Sequence, residues 1–260
     1  MIELGPILSV TLAPLVPHCG GSVQRAAEVL SRAGVRAVQL SAAQKGLRPR
    51  ELDRQARREL LSLLARRGLA IGGLDLMIPH KDYLQPATQD RAVSASIGAI
   101  ALAADLGRVP LSLSLPVEKL TNEVFDALLA AADGHGVTLA VHAEHDLVAL
   151  ERLLTHHDQP LLRAALDPAA LIALGHDPAE VATRFAQRLA AARLDDHLKT
   201  SLAAAGGRCL VGQGELDMLE YRAALAAAPH LRSIVVELRD LPDPLAGARS
   251  AITQWERTFG

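Results

Sequence analysis

Residues 137–178 read VTLAVHAEHDLVALERLLTHHDQPLLRAALDPAALIALGHDP. Two short aliphatic runs, VTLAVH from Val137 and LLRAALD from Leu161, flank a longer segment. A strand covered on both faces reads as a nearly continuous aliphatic run, and two such strands placed parallel need a crossover between them, usually a helix. Working outward, the same alternation extends over nearly the whole chain. Toward the N-terminus lie ILSVTLA (7–13), VRAVQLS (35–41), LAIGGLDL (69–76) and VPLSLSL (109–115). Toward the C-terminus lie LAAARLD (189–195) and SIVVELR (233–239). Eight strands separated by helical segments predict one α/β domain, a (β/α)8 or TIM barrel over residues 1–260.

The intervening segments carry the matching period. Val23, Ala26, Ala27 and Leu30 follow i, i+3, i+4, i+7 spacing, as do Phe125, Leu128, Leu129 and Ala132, so each set forms one buried stripe. Gly34, Gly68 and Gly134 stand where C-terminal helix caps are needed. Leu245, Ala248, Ile252, Trp255 and Phe259 share one face of a last helix that closes the barrel, with Trp255 as ordinary core. One stretch is contested: AEVATRFAQRLAAARLDDHLKTSLAAA (179–205) reads as a single long helix on propensity alone, which competes with the seventh strand.

Composition narrows the function classes. Half the residues are hydrophobic and 2% aromatic, so the core is assembled from Leu, Val, Ile and Ala. A net charge of −2 and scarce rings exclude a broad basic field with stacking platforms, so no nucleic acid is expected as partner. No apolar run approaches membrane length, and the opening segment has an acid at Glu3 and no basic lead, so no membrane and a cytoplasmic location are expected. Cys19 and Cys209 have no disulfide or metal spacing and are expected to be reduced. No nucleotide cofactor is expected; a homo-oligomer is compatible with the chain. The four lysines, Lys45, Lys81, Lys119 and Lys199, fall in loops or helices, which argues against a Schiff-base aldolase.

Barrel chemistry comes from the C-terminal ends of strands. The polar residues there are Gln39, Asp75, His142 with Glu144 and His145, Asp167, residues 193–197, and Glu237. Glu237 ends an aliphatic run, where an ionised carboxylate is costly unless a cation or donors satisfy it. Asp167 projects toward the mouth, since Pro168 stops strand pairing, although Asp also caps the next segment readily. His142, Glu144 and His145 lie within four residues, a set suited to a divalent metal, although a His at a strand end is more often merely hydrogen-bonded. HKDY (80–83) follows the third strand and reads first as a plain surface turn, with bordering the pocket as the alternative.

Three stretches, GVTLAVHAEHD (136–146), LDPAALIALGHDP (166–178) and VGQGELDMLEYRAAL (211–225) leading to LRSIVVEL (231–238), resemble the sugar phosphate isomerase/epimerase group of xylose isomerase-like barrels. The resemblance implies one divalent metal (Mn, Mg or Zn) held by a Glu, an Asp, a His and a Glu from strands 5 to 8. Asp167 and Glu237 match their positions. His142 falls where the strand-5 Glu is expected, with Glu144 beside it, and Arg193 falls where the strand-7 His is expected. Ala170 takes the place of a second common His. Arginine stays protonated and has no lone pair to offer a cation. A register shifted by four brings His197 to the ligand position, with Thr200 in place of an Asp, at the cost of burying Asp195 and Asp196 in a strand. The related AP endonuclease branch needs further histidines from earlier strands, and SLSLP at the fourth supplies none.

Two readings of function follow. One is an isomerase or epimerase that moves a proton next to the carbonyl of a small sugar or sugar phosphate, with Glu237 and His142 as acid/base groups, Arg193, Gln39 and Asp75 contacting substrate, and His142, Asp167, Glu237 and Glu144 as metal ligands. The other is a metal-free barrel serving as a ligand-binding or partner-interaction protein.

Overall fold

Alternation along each strand decides what the barrel holds, because successive side chains point to opposite faces. In the computed structural model, which describes residues 6–198 and 207–257, eight parallel strands close on themselves: β1 (Ile7–Thr11), β2 (Ala37–Ser41), β3 (Ala70–Leu76), β4 (Leu111–Ser114), β5 (Leu139–His142), β6 (Leu162–Leu166), β7 (Leu189–Leu194) and, after a small hairpin of β8 (Asp196–Leu198) and β9 (Gly207–Cys209), β10 (Ser233–Val236). β10 sits between β7 and β1 and completes the ring. The expected strands are all present, each within a few residues of its predicted ends.

One face of these strands carries Val10, Val38, Leu40, Leu74, Leu111, Leu113, Leu139, Val141, Leu194, Ile234 and Val236, all buried beneath helices. The alternate face is small or polar. Ala140, Ala165 and Ala191 form a second apolar cluster, and Ser9 Oγ lies 3.3 Å from Ser233 Oγ. At Gly72 a Cβ would stand 2.7 Å from Ser9 Cβ, so only glycine lets β3 come this close. Two residues beyond the alanines, on the same face, stand His142, Asp167 and Arg193. Small side chains low in the barrel thus leave long polar ones above them.

Most of the helices begin on capping acids or hydroxyls. α1 (Val23–Arg32) starts at Ser22, α2 (Arg54–Arg66) at Asp53, α6 (Leu147–His157) at Asp146, α7 (Pro168–Ala173) at Asp167, α8 (Pro178–Phe185) at Asp177 and α9 (Met218–Ala226) at Asp217, each side chain accepting from an N–H of its first turn. The predicted stripes bury Ala26, Ala27 and Leu30 in α1, and Phe125, Leu128 and Ala132 in α5 (Asn122–His135), with Val23 and Leu129 partly buried. Gly34 and Gly68 adopt the left-handed conformation expected of caps. Gly134 does not: it lies inside α5, and Gly136, with φ of 62°, ends that helix. Trp255 on α10 (Pro244–Arg257) is only partly buried against the core, with the Arg222 guanidinium 4.4 Å over its ring. Phe259, Lys199 and Thr200 lie outside the described residues.

The contested stretch resolves into helix and strand. α8 ends at Phe185, a single turn follows, and β7 begins at Leu189. Parallel pairing with β6 and β10 outweighs the helical preference of the alanines. HKDY also differs from its expectation. Instead of a surface turn it forms α3 (His80–Leu84), ahead of α4 (Pro86–Asp105), and Tyr83 is fully buried, its hydroxyl 2.8 Å from Ser96 Oγ. No helix among the described residues is long and apolar enough to cross a membrane.

Candidate active site at the barrel mouth

A cavity of about 400 Å³ opens at the C-terminal ends of the strands, between His80, Ser114, His142, Glu144, Arg193 and Arg239, with Asp167 at its edge. β5 delivers His142, which lies opposite Ala165 of β6 and beside Ser114 of β4 in the strand register. Its Nδ1 is 2.7 Å from Glu144 Oε1, and both residues are buried. A carboxylate accepts, so the ring nitrogen facing it carries the proton, and it is the neutral form of the imidazole that offers a lone pair at Nε2. His80 Nε2 lies 2.8 Å from Ser114 Oγ, and its ring is 5.0 Å from that of His145. Burial and the neighbouring His145 hold the His80 imidazole below its ordinary value, against Glu144.

Arg193 is fixed between two carboxylates. Its Nη1 donates to Glu237 Oε2 at 2.7 Å and to Asp167 Oδ2 at 3.4 Å, and Tyr221 OH donates to its carbonyl at 3.1 Å. Each carboxylate has a second guanidinium. Arg239 Nη2 reaches Glu237 Oε2 at 2.5 Å, and Arg208 Nη2 reaches Asp167 Oδ2 at 2.6 Å. Burial alone would raise both carboxyls; Arg193, with Arg239 on one and Arg208 on the other, reverses that and brings Glu237 down to about 2 and Asp167 well below the usual range.

Arg208 belongs to β9, in the hairpin that follows β7. The hairpin explains how two acids tolerate burial. Asp195 is ion-paired with Arg208 and accepts from Ala169 N, and Asp196 accepts the backbone N–H groups of His197, Gly212, Gly214 and Leu216 at 2.8–3.0 Å. The glycines of VGQG are needed there, since a Cβ on Gly214 would lie 2.6 Å from His197 O and collide with Asp196.

Of the residues singled out in the sequence, the structure gathers His142, Glu144, Asp167 and Arg193 around one cavity. Glu237, expected as a base, is sealed beneath Arg193 and Arg239 with no exposed side-chain surface, and does not line it. Neither Gln39 nor Asp75 lines it. Gln39 is buried level with Gly73, below Asp75, and Asp75 has Arg239 Nη2 3.9 Å from its carboxylate. Burial holds the Asp75 carboxyl above the usual range despite Arg239 and a hydrogen bond from Ser41. The shifted register is not adopted: His197 lies in the hairpin, buried, with neither ring nitrogen hydrogen-bonded among the described residues. Ser114, Arg208 and Arg239 complete the site without having been anticipated. The period of two signals Ser114 and Arg239, two residues beyond inward-facing Ser112 and Glu237.

The ligand set that the resemblance implies does not fit a divalent ion here. Asp167 and Glu237 are each held by two guanidinium groups, and Arg193 has no lone pair. Among the described residues no group of three or more His, Cys, Asp or Glu is arranged to hold a metal.

Solved structures share the fold over almost the whole chain. A xylose isomerase domain protein from Planctomyces limnophilus superposes with a TM-score of 0.76 at 18% identity, covering 98% of this chain and 96% of its own. An L-ribulose 3-epimerase gives 0.71 at 16% identity (98% and 96%), and the D-psicose 3-epimerase of Clostridium cellulolyticum H10 gives 0.69 at 12% (96% and 99%). No curated protein matches the sequence. The family model of the xylose isomerase-like TIM barrel matches residues 27–257. With that match spanning most of the chain, and with the closed eight-stranded barrel, the protein belongs to the xylose isomerase-like TIM barrel family.

Proposed function

We propose that the mouth catalyses proton transfer next to the carbonyl of a small, hydroxylated, sugar-like substrate, as an isomerase or epimerase, with a fixed guanidinium taking the part of a metal ion. The observation that carries this reading is the buried His142–Glu144 pair sharing one cavity with an Arg193 held by two carboxylates. Proton abstraction from a carbon acid needs a base at the carbon and a cation or donor at the oxygen that becomes anionic. His142 Nε2 takes the proton, and Glu144 stabilises the imidazolium that forms. The electron pair of the broken C–H bond moves into the new C=C bond, and the carbonyl oxygen becomes an enediolate oxygen opposite Arg193. Its orientation is set by Asp167 and Glu237, so little reorganisation accompanies the charge. For isomerisation His142 returns the proton to the former carbonyl carbon while the proton of the neighbouring hydroxyl passes to the enediolate oxygen; for epimerisation a second group, His80, delivers a proton to the original carbon from the other side. His80, with Ser114, is the second imidazole in the cavity and serves the substrate hydroxyls or this return step. Asp167 and Glu237 act as positioning residues. The fold shared with an L-ribulose 3-epimerase and a D-psicose 3-epimerase supports this class of substrate.

The test is hydrogen exchange. Chelator-treated protein is incubated in D2O with a panel of ketoses, aldoses and their phosphates, and deuterium at the carbon next to the carbonyl is followed by NMR. Exchange with at least one sugar, reduced roughly 100-fold or more in His142→Asn, is expected. Exchange with none, or exchange indifferent to His142→Asn, refutes the reading; sugar binding without exchange favours a ligand-binding barrel.

A further inference from the structure

A second, larger cavity of about 720 Å³ lies against the mouth and shares with it only the loop of Met77, Ile78 and Pro79. One wall is that loop with Leu76; the other is α4, which presents Ala92, Ala95, Gly98 and Ala101. The small residues on α4 create the space, since the helix would fill it with larger side chains. Specific small-molecule sites are clefts of this size, mostly apolar, with a few placed polar groups. Here those groups are cationic: Arg48, Arg50, Arg57 and Arg91 line the cleft against a single acid, Asp82.

The four arginines are of two kinds. Arg57 is anchored by Asp105, Leu52 O and Pro49 O, and Arg48 by Ala43 O and Glu51. Arg50 and Arg91 are exposed and have no hydrogen-bonded or ionic partner among the described residues, although each stands at the edge of an apolar wall. Two uncommitted guanidinium groups at the rim and an alanine-lined interior match a ligand with an anionic head and an apolar body.

We propose that this cleft is a binding site for a small amphipathic anion, a carboxylate or phosphate monoester on an aliphatic chain, whose head pairs with Arg50 and Arg91 and whose body lies along α4. The site is independent of the proton-transfer reading, because its test measures binding alone. Calorimetric titrations use octanoate and octyl phosphate, each below its micelle concentration, with octanol and inorganic phosphate as controls. The expected result is saturable one-to-one binding of both amphiphiles, with neither control bound comparably. The double variant Arg50→Gln/Arg91→Gln weakens binding about ten-fold, as two partly exposed ion pairs would. Ala95→Trp fills the cleft and abolishes it. All three positions are exposed, so both variants should keep the parent melting temperature. Absence of saturable binding, octanol bound as tightly as octanoate, or affinity unmoved by either variant overturns the proposal.

Discussion

Replacing Glu237 by Gln keeps the shape of a side chain with no exposed surface and removes the charge that Arg193 and Arg239 share. The carboxyl is brought from an ordinary 4.5 to about 2, Arg193 and Arg239 outweighing the cost of burial. A tenfold change in an acid's ionisation constant corresponds to about 1.4 kcal/mol, so the ionised form contributes about 3 kcal/mol to folding at neutral pH. The folded value is depressed, so this stability is present in full above the unfolded value near 4.5 and is lost as pH falls toward 2. Glu237→Gln should therefore lower the free energy of unfolding by about 3 kcal/mol at pH 7, and the gap to the parent should narrow by about 1 kcal/mol by pH 3.5. Urea denaturation at both pH values measures this. A loss below about 1 kcal/mol at pH 7, or the same gap at both pH values, would mean that the two arginines do not hold this carboxylate and that the site is not built around Arg193.

Asp75 behaves oppositely: its folded value is raised, so its favourable contribution is confined to low pH and is lost as pH rises. Asp75→Asn should melt at or above the parent temperature at pH 7.5 and lose that advantage at pH 4, as differential scanning calorimetry would show. Gly214→Ala places a methyl group against Asp196 and His197 O and should cost more than about 2 kcal/mol in chemical denaturation; a cost within about 0.5 kcal/mol would contradict the packing of that loop. Tyr83→Phe removes a buried hydroxyl from Ser96, whose own hydroxyl still donates to Ala92 O at 2.9 Å, so a loss near 1 kcal/mol is expected from thermal melts.

The barrel was legible because its signal is local: a strand covered on both faces is an aliphatic run, and each of the eight appears in the sequence at its observed place. The site was legible where chemistry sits at a strand end, as at His142, Asp167 and Arg193. It was not legible where a contact joins distant segments. Nothing near Arg208 or Arg239 in sequence says that their guanidinium groups reach Asp167 and Glu237, and those contacts turn the two acids from ligands or bases into anchors. Nor does a spacing rule show that His80, in a segment that reads as a turn, is lifted into the cavity by burial of Tyr83 three residues on. The cleft beside α4 is hidden for the converse reason: alanine and glycine are equally ordinary in a tightly packed helix and in one that faces open space.

The central claim, that Arg193 offers a fixed guanidinium in place of a metal ion, is tested most directly by calorimetric titration of Mn²⁺ and Zn²⁺ into the parent and into Arg193→His. The substitution removes the permanent charge and supplies a nitrogen donor beside His142, Asp167 and Glu237. The parent should show no stoichiometric site, and Arg193→His should bind at least about ten-fold more tightly, an increase lost when Glu237→Gln is added. Tight one-to-one binding in the parent, unimproved by Arg193→His, would contradict it and place Arg193 outside the ligand shell.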